Sequence, residues 1–349
     1  MINLAKLFSN KKGTLGIDIG ASSIKLVEIG ESSSGYVLNH IYYEPLPGDL
    51  ISDLSEAAQD ELVSRLKYVV KQSGTSASNT VTSLPGHSVI IKKSAFPPLE
   101  RNELRELIHD EADKYLPIEN INDVYFDFQV LGESENATGM NDVLLVAARK
   151  EIIESYTSIF KKAGLKLIVV DVDTFALETM FEANYEIDER DTVFMINIGA
   201  SITNINVIKQ NGSIFSRDFS LGGNSITEAI RQKMSVGPEE AEQMKRYGND
   251  LDLLEFAEPI MMEIERSVDY FRSAFSGEYI KQILLSGGSA KIKGFSESLM
   301  QRLSIETEIA NPFRNISLGE KLDPEWIHEM APLFCACVGL GLRRKGDKW

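Results

Sequence analysis

The chain has 349 residues, 43% of them hydrophobic and 25% charged, which is a globular composition with enough apolar side chains for more than one core. Its 36 lysines and arginines against 52 aspartates and glutamates give a net charge of −16, which argues against nucleic acid or an anionic lipid surface as the main partner. The two cysteines and four scattered histidines support neither a disulfide framework nor a zinc site.

The N-terminus lacks the apolar core and cleavage site of a signal peptide, and no stretch approaches the roughly 20 apolar residues of a membrane span. We therefore expect a cytoplasmic protein without a transmembrane segment.

The first predicted element is a strand-turn-strand hairpin, "LGIDIGASSIKLVEIG", at residues 15–30. Hydrophobic strands flank a turn in which Gly20 allows a tight bend. A turn of glycine and small hydroxyl residues exposes consecutive backbone N–H groups, and nearby Ser and Lys side chains add donors, so the pattern favours a phosphate ligand. Asp18 would then hold an accompanying Mg²⁺ through water.

A separate β-α-β-β unit is predicted next. "SVIIKKSAF" is typical of a strand and stops at Pro97 and Pro98, and apolar residues then recur at helical spacing from Leu104 to Leu116. The alternating segments "DVYFDFQVL" and "DVLLVAA" supply two more strands. About sixty residues are too few for a large core, so we expect this unit to pack against a neighbour.

Helices and strands then alternate. A helix at residues 151–163 is closed by Gly164, and it is followed by a buried strand "LKLIVVD" and a helix "DTFALETMFEAN". This alternation predicts an α/β layered fold.

The hairpin then occurs a second time. "INIGASITNINVI", from Ile196, repeats the I-x-I-G-A-S frame of Ile17 at a distance of 179 residues. That distance is far beyond a solenoid period and predicts two related halves. Two such turns facing each other across a cleft would hold a polyphosphate from both sides.

Three further segments complete the second half. "SLGGNSITEAIRQKM" predicts a helix capped by Asn224 behind a glycine pair, and "GPEEAEQMKRYG" a short helix with Glu242 and Lys245 on one face. In "IKQILLSGGSAKIKGF" a glycine pair follows a strand, which lets a flat ligand approach the backbone. No GxxxxGK[ST] or GxGxxG motif supports a P-loop or dinucleotide-binding fold.

With these motifs in place, the sequence resembles the actin-like ATPase superfamily. "IDIGASSIK" and "INIGASIT" are similar to its two phosphate motifs, "LLSGGSAKIKG" to its adenosine motif, and "DVDTFALETMF" and "APLFCACVGLGLR" to its connecting helices. "LPGHSVIIKKSAFPPLERNELRELIHDEADKYLP" and "SLGGNSITEAI" resemble the FtsA-like PilM family of type IV pilus assembly. The resemblance spans nearly the whole chain.

The resemblance implies an α/β actin-like ATPase fold, with two related lobes around a nucleotide cleft and a small β-α-β-β subdomain inserted in the first lobe. The implied segments are the start of the first lobe at 1–86, the inserted subdomain at 87–148, the rest of the first lobe with the first connecting helix at 149–185, the second lobe at 186–325, and the second connecting helix at 326–349.

The resemblance also implies bound ATP and Mg²⁺. The implied nucleotide-binding residues are Asp18, Gly20, Ser22, Ser23 and Lys25 in the first lobe, and Asn197, Gly199, Ala200, Ser201, Thr203, Gly222, Gly223, Glu242, Lys245, Gly287, Gly288 and Lys291 in the second. Asn197 stands where active relatives commonly carry an aspartate that helps to place Mg²⁺ and the attacking water. An amide lacks that charge, so we predict tight nucleotide binding with slow or negligible hydrolysis.

Three functions are compatible with the resemblance. The first is a nucleotide-gated scaffold that binds the cytoplasmic N-terminal tail of PilN at the inner-membrane pilus platform, in a groove for which Val89, Ile91, Leu104 and Ile108 are candidates, although core packing also explains these four. The second is a small-molecule kinase with Asp171 or Asp173 as the base. The third is an FtsA-type filament, for which self-association would be needed but a membrane-binding C-terminal helix is missing.

Overall fold

The computed structural model describes residues 13–33, 35–46, 50, 55–118, 120–134, 137–209, 212–248 and 251–347. The ends of the expected first and last segments, 1–12 and 348–349, lie outside this set. The strands are β1 (Thr14–Ile19), β2 (Ser23–Ser32), β3 (Gly35–Pro45), β4 (Asn79–Leu84), β5 (Val89–Phe96), β6 (Val124–Glu133), β7 (Asn141–Arg149), β8 (Lys166–Val172), β9 (Asp191–Ile198), β10 (Thr203–Lys209), β11 (Gly212–Phe219), β12 (Tyr279–Ser286), β13 (Glu306–Ile309) and β14 (Ser317–Leu318). The helices are α1 (Glu56–Ser73), α2 (Arg101–Asp110), α3 (Ala112–Tyr115), α4 (Lys150–Lys162), α5 (Asp173–Asn184), α6 (Gly223–Met234), α7 (Pro238–Tyr247), α8 (Leu253–Ala274), α9 (Phe295–Leu303), α10 (Pro324–Met330) and α11 (Cys335–Leu342).

Two large sheets share one topology. The first has the order β14-β3-β2-β1-β4-β8, and the second has the order β11-β10-β9-β12-β13. In each, an antiparallel three-stranded meander is extended by two parallel strands, which are β4 and β8 in the first sheet and β12 and β13 in the second. The first sheet has one further short strand, β14, parallel to β3. The two predicted related halves are therefore present.

The helices form layers around these sheets. One core places α1 and α4 against the first sheet, and another places α6, α8 and α9 against the second. A third core lies between the sheets and contains α5, α10 and α11 together with side chains of β2, β3 and β9. The two helices predicted as connectors, α5 and α11, thus occupy the middle layer.

The middle helices cross at very short range. A Cβ atom built on Gly339 of α11 would lie 1.7 Å from the carbonyl oxygen of Ala176 in α5, a distance that only glycine permits. Both cysteines lie in α11, buried and free. The contact fixes how closely the two sheets approach each other.

The small three-stranded sheet, in the order β5-β7-β6, carries α2 on one face. Leu104 and Ile108 of α2 are 1% and 0% exposed and pack with Phe96 and Phe128. The predicted β-α-β-β order is confirmed, but the helix is interrupted at Glu111, whose φ of −115° lies outside the helical range.

Other predicted elements are found within one or two residues of their expected ends, including α4, β8, α5 and α7. The prediction that Asn224 caps α6 was wrong, since α6 begins at Gly223 and Gly222 is its N-cap residue. The Asn224 side chain instead donates from Nδ2 to Ser201 Oγ at 3.1 Å, which ties it to a neighbouring turn.

None of the described helices combines the length and hydropathy needed to cross a bilayer.

Candidate functional site

The two repeated hairpins have the same turn geometry. Gly20 N–H donates to the carbonyl of Ser23 at 2.9 Å, and Gly199 N–H donates to that of Ile202 at 3.0 Å. Each turn closes the end of the first strand of its sheet, β1 or β9. The repeat in the sequence therefore reflects a repeat in backbone conformation.

The residue pairs behind the two turns are equivalent in position and different in chemistry. Asp18 lies opposite Lys25, whose Nζ donates to Asp18 Oδ2 at 2.8 Å with both side chains under one fifth exposed. Burial lowers the pKa of Lys25, but the Asp18 carboxylate outweighs this and leaves the pKa above its ordinary value. Asn197 lies opposite Asn204 and donates from Nδ2 to its Oδ1 at 3.4 Å. The ion pair of the first hairpin is an amide pair in the second.

Two more carboxylates approach this point. Asp173, the first residue of α5, accepts a hydrogen bond from Ser83 Oγ at 2.5 Å. Burial, the charge of Asp18 and the charge of Asp218 raise the pKa of Asp173 to about 7. Asp218 comes from the second sheet, where its Oδ1 accepts from Asn204 Nδ2 at 2.9 Å. Asp18, Asp173 and Asp218 thus converge from three separate elements.

Asp218 also shows how closely the two sheets approach each other here. A Cβ built on Gly86, just after β4, would lie 2.6 Å from Asp218 Oδ2. Sequence reasoning did not find Asp218, which belongs to no motif. Its place opposite Asn204 follows from the pairing of β10 with β11, which no local sequence pattern encodes.

The glycine pair before α6 packs on the second hairpin turn. Gly223 N–H donates to Gly199 O at 2.9 Å, and Asn224 N–H donates to Ala200 O at 2.7 Å. A Cβ on Gly222 would lie 2.6 Å from Gly199 O, so a larger residue has no room. The structure therefore brings these two predicted segments together.

Helix α7 contributes to the same place. Lys245 Nζ donates to Gly223 O at 3.0 Å, to Thr227 Oγ1 at 2.7 Å and to Glu242 Oε2 at 2.6 Å. Burial holds the pKa of Lys245 below its ordinary value, although Glu242 acts in the opposite direction. The two residues, three apart in sequence, form a largely buried pair against the glycine turn.

The third glycine element lies beside the end of β9. Gly287 has φ of 85°, and a Cβ there would lie 2.3 Å from Ile198 O. Gly288 faces open space, since a Cβ built on it would have nothing within 4 Å, and a Cβ on Gly223 would lie 3.0 Å from Ser289 Oγ. The adenosine-type turn, the α6 turn and the second hairpin turn are therefore contiguous.

Four of the predicted nucleotide-binding residues make contacts with neighbouring parts of the protein. Thr203 is fully buried and donates to Leu221 O at 2.8 Å, so its hydroxyl supports the neighbouring loop. Ser23 is 3% exposed at the start of β2, and the Ser22 carbonyl accepts from Leu46 N–H at 2.9 Å. Lys291 Nζ pairs with Glu329 Oε1 at 3.3 Å, just before α10 ends.

The donor set fits a magnesium-bound nucleotide. Asp173 lies close to Asp18, Asp218 and Lys25, in the polar region between the two large sheets that is called the cleft below. Its raised pKa reflects the negative charge of Asp18 and Asp218, which a divalent cation would neutralise. Within the described ranges, no group of three or more His, Cys, Asp or Glu side chains would hold a metal by itself. Mg²⁺ is commonly held by one or two carboxylates together with phosphate oxygens, which is the arrangement these residues allow.

A concave region lies between the small sheet and the first large sheet, apart from the hairpin turns. This groove has a volume of about 850 Å³. It is lined by Leu84, Val89, Arg101, Tyr125–Val130, Val146, Ala148, Ile153, Ile168–Val172, Arg343, Arg344, Gly346 and Asp347. Of the four residues predicted for a partner groove, Val89 lines it, Ile91 is exposed outside it, and Leu104 and Ile108 are core residues between α2 and the small sheet.

The two candidate catalytic bases, Asp171 and Asp173, lie in different regions. Asp173 faces the carboxylates of the cleft. Asp171 lines the groove and is 4% exposed, and its Oδ2 accepts from Arg343 Nε at 2.6 Å. Asp171 is therefore a groove residue.

A family model described as "Type IV pilus assembly protein PilM" matches residues 16–345. The chain belongs to the PilM family. A solved structure titled "PilM-PilN type IV pilus biogenesis complex" is 26% identical, with a TM-score of 0.82 over 95% of this chain and 98% of that chain. The protein is accordingly a PilM-like type IV pilus assembly protein with an actin-like ATPase fold.

More distant relatives share that fold. Ethanolamine utilization protein EutJ of Escherichia coli (strain K12) is 26% identical over 141 residues, 40% of this chain and 46% of EutJ, so the chain spans about half the length of the curated relatives it matches. The EutJ structure from Carboxydothermus hydrogenoformans is 14% identical with a TM-score of 0.58, over 94% of this chain and 88% of that one. MreB5 of Spiroplasma citri bound to ADP is 12% identical with a TM-score of 0.50, over 95% of each chain.

Proposed function

We propose that this protein is an ATP-binding scaffold of type IV pilus biogenesis, which binds the cytoplasmic N-terminal tail of a PilN-type membrane protein. The observation that carries the proposal is the presence of two separate features on one fold, a cluster of glycine turns and polar side chains where the two large sheets meet and a largely apolar groove beside the small sheet. The cleft suits a nucleotide and the groove suits a peptide.

The nucleotide would lie between the two hairpin turns. Gly20 and Ser22 would contact phosphate oxygens from one lobe, and Gly199, Ala200 and Ser201 from the other, through backbone N–H groups. Bound Mg²⁺ would supply charge neutralisation at the phosphates, and Asp18 would hold it through water. The adenosine would lie near Gly222, Gly223, Gly287 and Gly288, with Glu242, Lys245 and Lys291 at its border. MreB5, which has the same fold, is described as bound to ADP.

Hydrolysis is expected to be slow. Asn197 Oδ1 accepts from Ser286 Oγ at 3.3 Å, and its amide nitrogen faces Asn204, so the side chain is held by neutral partners. A neutral amide orients a water less strongly than a carboxylate and does not accept its proton. The nucleotide would therefore act as a switch or as a lasting structural ligand.

The partner would be a peptide of the inner-membrane platform, and its capture would place this protein at the inner face of the membrane. The solved PilM–PilN complex has the family's fold over nearly the whole chain. Tyr125, 48% exposed, and Val89 present apolar surface to the groove. These side chains are accessible without any rearrangement of the core.

The test is binding of a labelled synthetic peptide that carries roughly the first twelve residues of the cognate PilN, measured by fluorescence anisotropy with and without Mg·ATP. Tyr125→Ala should weaken binding roughly tenfold, or about 1.4 kcal/mol, the scale of an aromatic interface contact. Tyr279→Ala is the matched control, since Tyr279 is 64% exposed on the second sheet and outside the groove. Failure of the wild-type protein to bind the peptide in either condition would refute the proposal.

Nucleotide binding is measured separately by thermal denaturation. Mg·ATP at about 100 times its dissociation constant should stabilise the folded state by about 2.7 kcal/mol. An unchanged midpoint at millimolar Mg·ATP would refute the nucleotide part and leave peptide capture standing.

A further inference from the structure

Two strand edges border the groove. In the described part of the chain, β8 ends the order of the first large sheet, and β6 ends the order of the small sheet. Both line the groove with consecutive residues, 125–130 in β6 and 168–172 in β8. Consecutive rather than alternate residues mean that the main chain itself faces the cavity, because side chains of a strand alternate between faces.

Each edge carries an aspartate that accepts the N–H of the next residue. Phe128 N–H donates to Asp127 Oδ1 at 3.0 Å, and Val172 N–H donates to Asp171 Oδ1 at 2.8 Å. Arginines hold both carboxylates, Arg101 and Arg105 at Asp127 and Arg343 at Asp171. Capping an edge amide with a side chain is one way to keep a free strand from pairing with other chains.

The two edges are protected to different extents. Asp127 caps the middle of β6, and the guanidinium of Arg101 also lies 4.7 Å from the ring centre of Phe128. Asp171 caps only Val172, the last residue of β8. Along a strand, the N–H and C=O groups of every second residue point to the same side. The pairing of β8 with β4 is regular from Val169 onward, so the main-chain groups of Val170 point to the same side as those of Val172. Val170 therefore presents its main chain to the groove.

Gln129 points to the same conclusion from the β6 side. Its Oε1 atom is buried and has no hydrogen-bond partner among the described residues, and Gln129 lines the groove. A buried oxygen without a donor is unfavourable, so an N–H group from a ligand would satisfy it.

We propose, on the basis of the proposed function, that the partner tail binds by adding a strand to β8. The peptide pairs through main-chain hydrogen bonds with Val170 and donates a further N–H to Gln129 Oε1. The groove residues of β8, 168–172, match an extended stretch of about five peptide residues, roughly 17 Å. Arg101, Arg343 and Arg344 balance Asp127, Asp171 and Asp347 along the groove, although the whole chain has a net charge of −16. This balance suits an uncharged, apolar peptide segment.

The deciding experiment is a backbone N-methylation scan of the same PilN peptide, measured by anisotropy on the wild-type protein. In a strand, every second N–H faces the neighbouring strand, so N-methylation at alternate positions should weaken binding about tenfold or more, while the positions between should change it less than about twofold. Equal tolerance or equal loss at all positions would overturn strand addition and leave tail capture standing. An unmodified peptide that does not bind would overturn both proposals.

The Gln129 contact is tested with Gln129→Met, which keeps the length of the side chain and removes the acceptor. Affinity for the peptide should fall about fivefold, while the thermal midpoint of the free protein should rise, because the unsatisfied oxygen is gone. Gln232→Met is the matched control, since Gln232 is exposed on α6 and donates only to Glu228 among its described partners. Unchanged affinity in Gln129→Met would remove this contact from the proposal. A dimer of the free protein that blocks peptide binding would instead assign the β8 edge to a second copy.

Discussion

Replacing the Asp18–Lys25 pair of the first hairpin by the asparagine pair found in the second tests two roles of these residues separately, in the stability of the fold and in nucleotide binding. In the single variant Lys25→Asn, the Asp18 carboxylate remains next to Asp173 without its cation. Asp18 is 16% and Lys25 12% exposed, so the loss is close to that of a buried ion pair losing one partner, about 3 kcal/mol. The double variant Asp18→Asn/Lys25→Asn has the same amide pair as Asn197 and Asn204, and we expect it to recover about 2 kcal/mol of that loss.

Urea unfolding near neutral pH without nucleotide measures the stability of the single variants Lys25→Asn and Asp18→Asn and of the double variant. Titration calorimetry with Mg·ATP measures binding, which should weaken at least about tenfold in the double variant because it lacks both the proposed phosphate donor, Lys25, and the carboxylate proposed to hold Mg²⁺ through water, Asp18. Lys281→Met is the control, since Lys281 pairs with Asp191 at 2.8 Å at the far end of β9. Stability effects that add to within about 0.5 kcal/mol, or a double variant that binds Mg·ATP like the wild type, would refute the reasoning.

Three other predictions concern the connecting helices and the cleft. Gly339→Val should destabilise the fold by more than about 3 kcal/mol, because its side chain would overlap the carbonyl of Ala176, whereas Gly277→Ala, in open space, should change the urea midpoint little. Because the pKa of Asp173 is raised to about 7, the folded state retains a proton that the unfolded state releases near pH 4, so stability should fall as pH rises from about 4 to 7. Asp173→Asn should flatten that decline in urea midpoints measured from about pH 5 to 8, and parallel curves would contradict the assignment. Wild-type ATP turnover should lie well below the usual enzyme range of about 1–10³ per second. Asn197→Asp should raise the turnover in a phosphate-release assay. An unchanged rate would contradict the proposal that the Asn197 amide slows hydrolysis.

The parts of the fold that could be predicted from sequence are those with a local signal. The strand period and the glycine turn predict both hairpins, and the I-x-I-G-A-S repeat predicts two related halves. Gly222 and Gly287 are visible in the sequence because few other residues tolerate their close contacts with neighbouring carbonyl oxygens.

The remaining features depend on strand order, which no local pattern encodes. Asp218 reaches the cleft only because β11 lies two strands from β9 in the second sheet. The strand β8 was predicted, but its position at a sheet edge was not. Leu104 and Ile108 have helical spacing that indicates a buried face without indicating which side of the small sheet that face covers.

The junction between β8 and α5 places two carboxylates in two different compartments. Asp171 is held by Arg343 in the groove, and Asp173, two residues later, faces Asp18 between the lobes. Because only Val172 separates them, a displacement of one carboxylate would be transmitted through the backbone to the other. If the nucleotide acts as a switch, its binding should change the affinity for the peptide, and peptide binding should change the affinity for the nucleotide by the same factor.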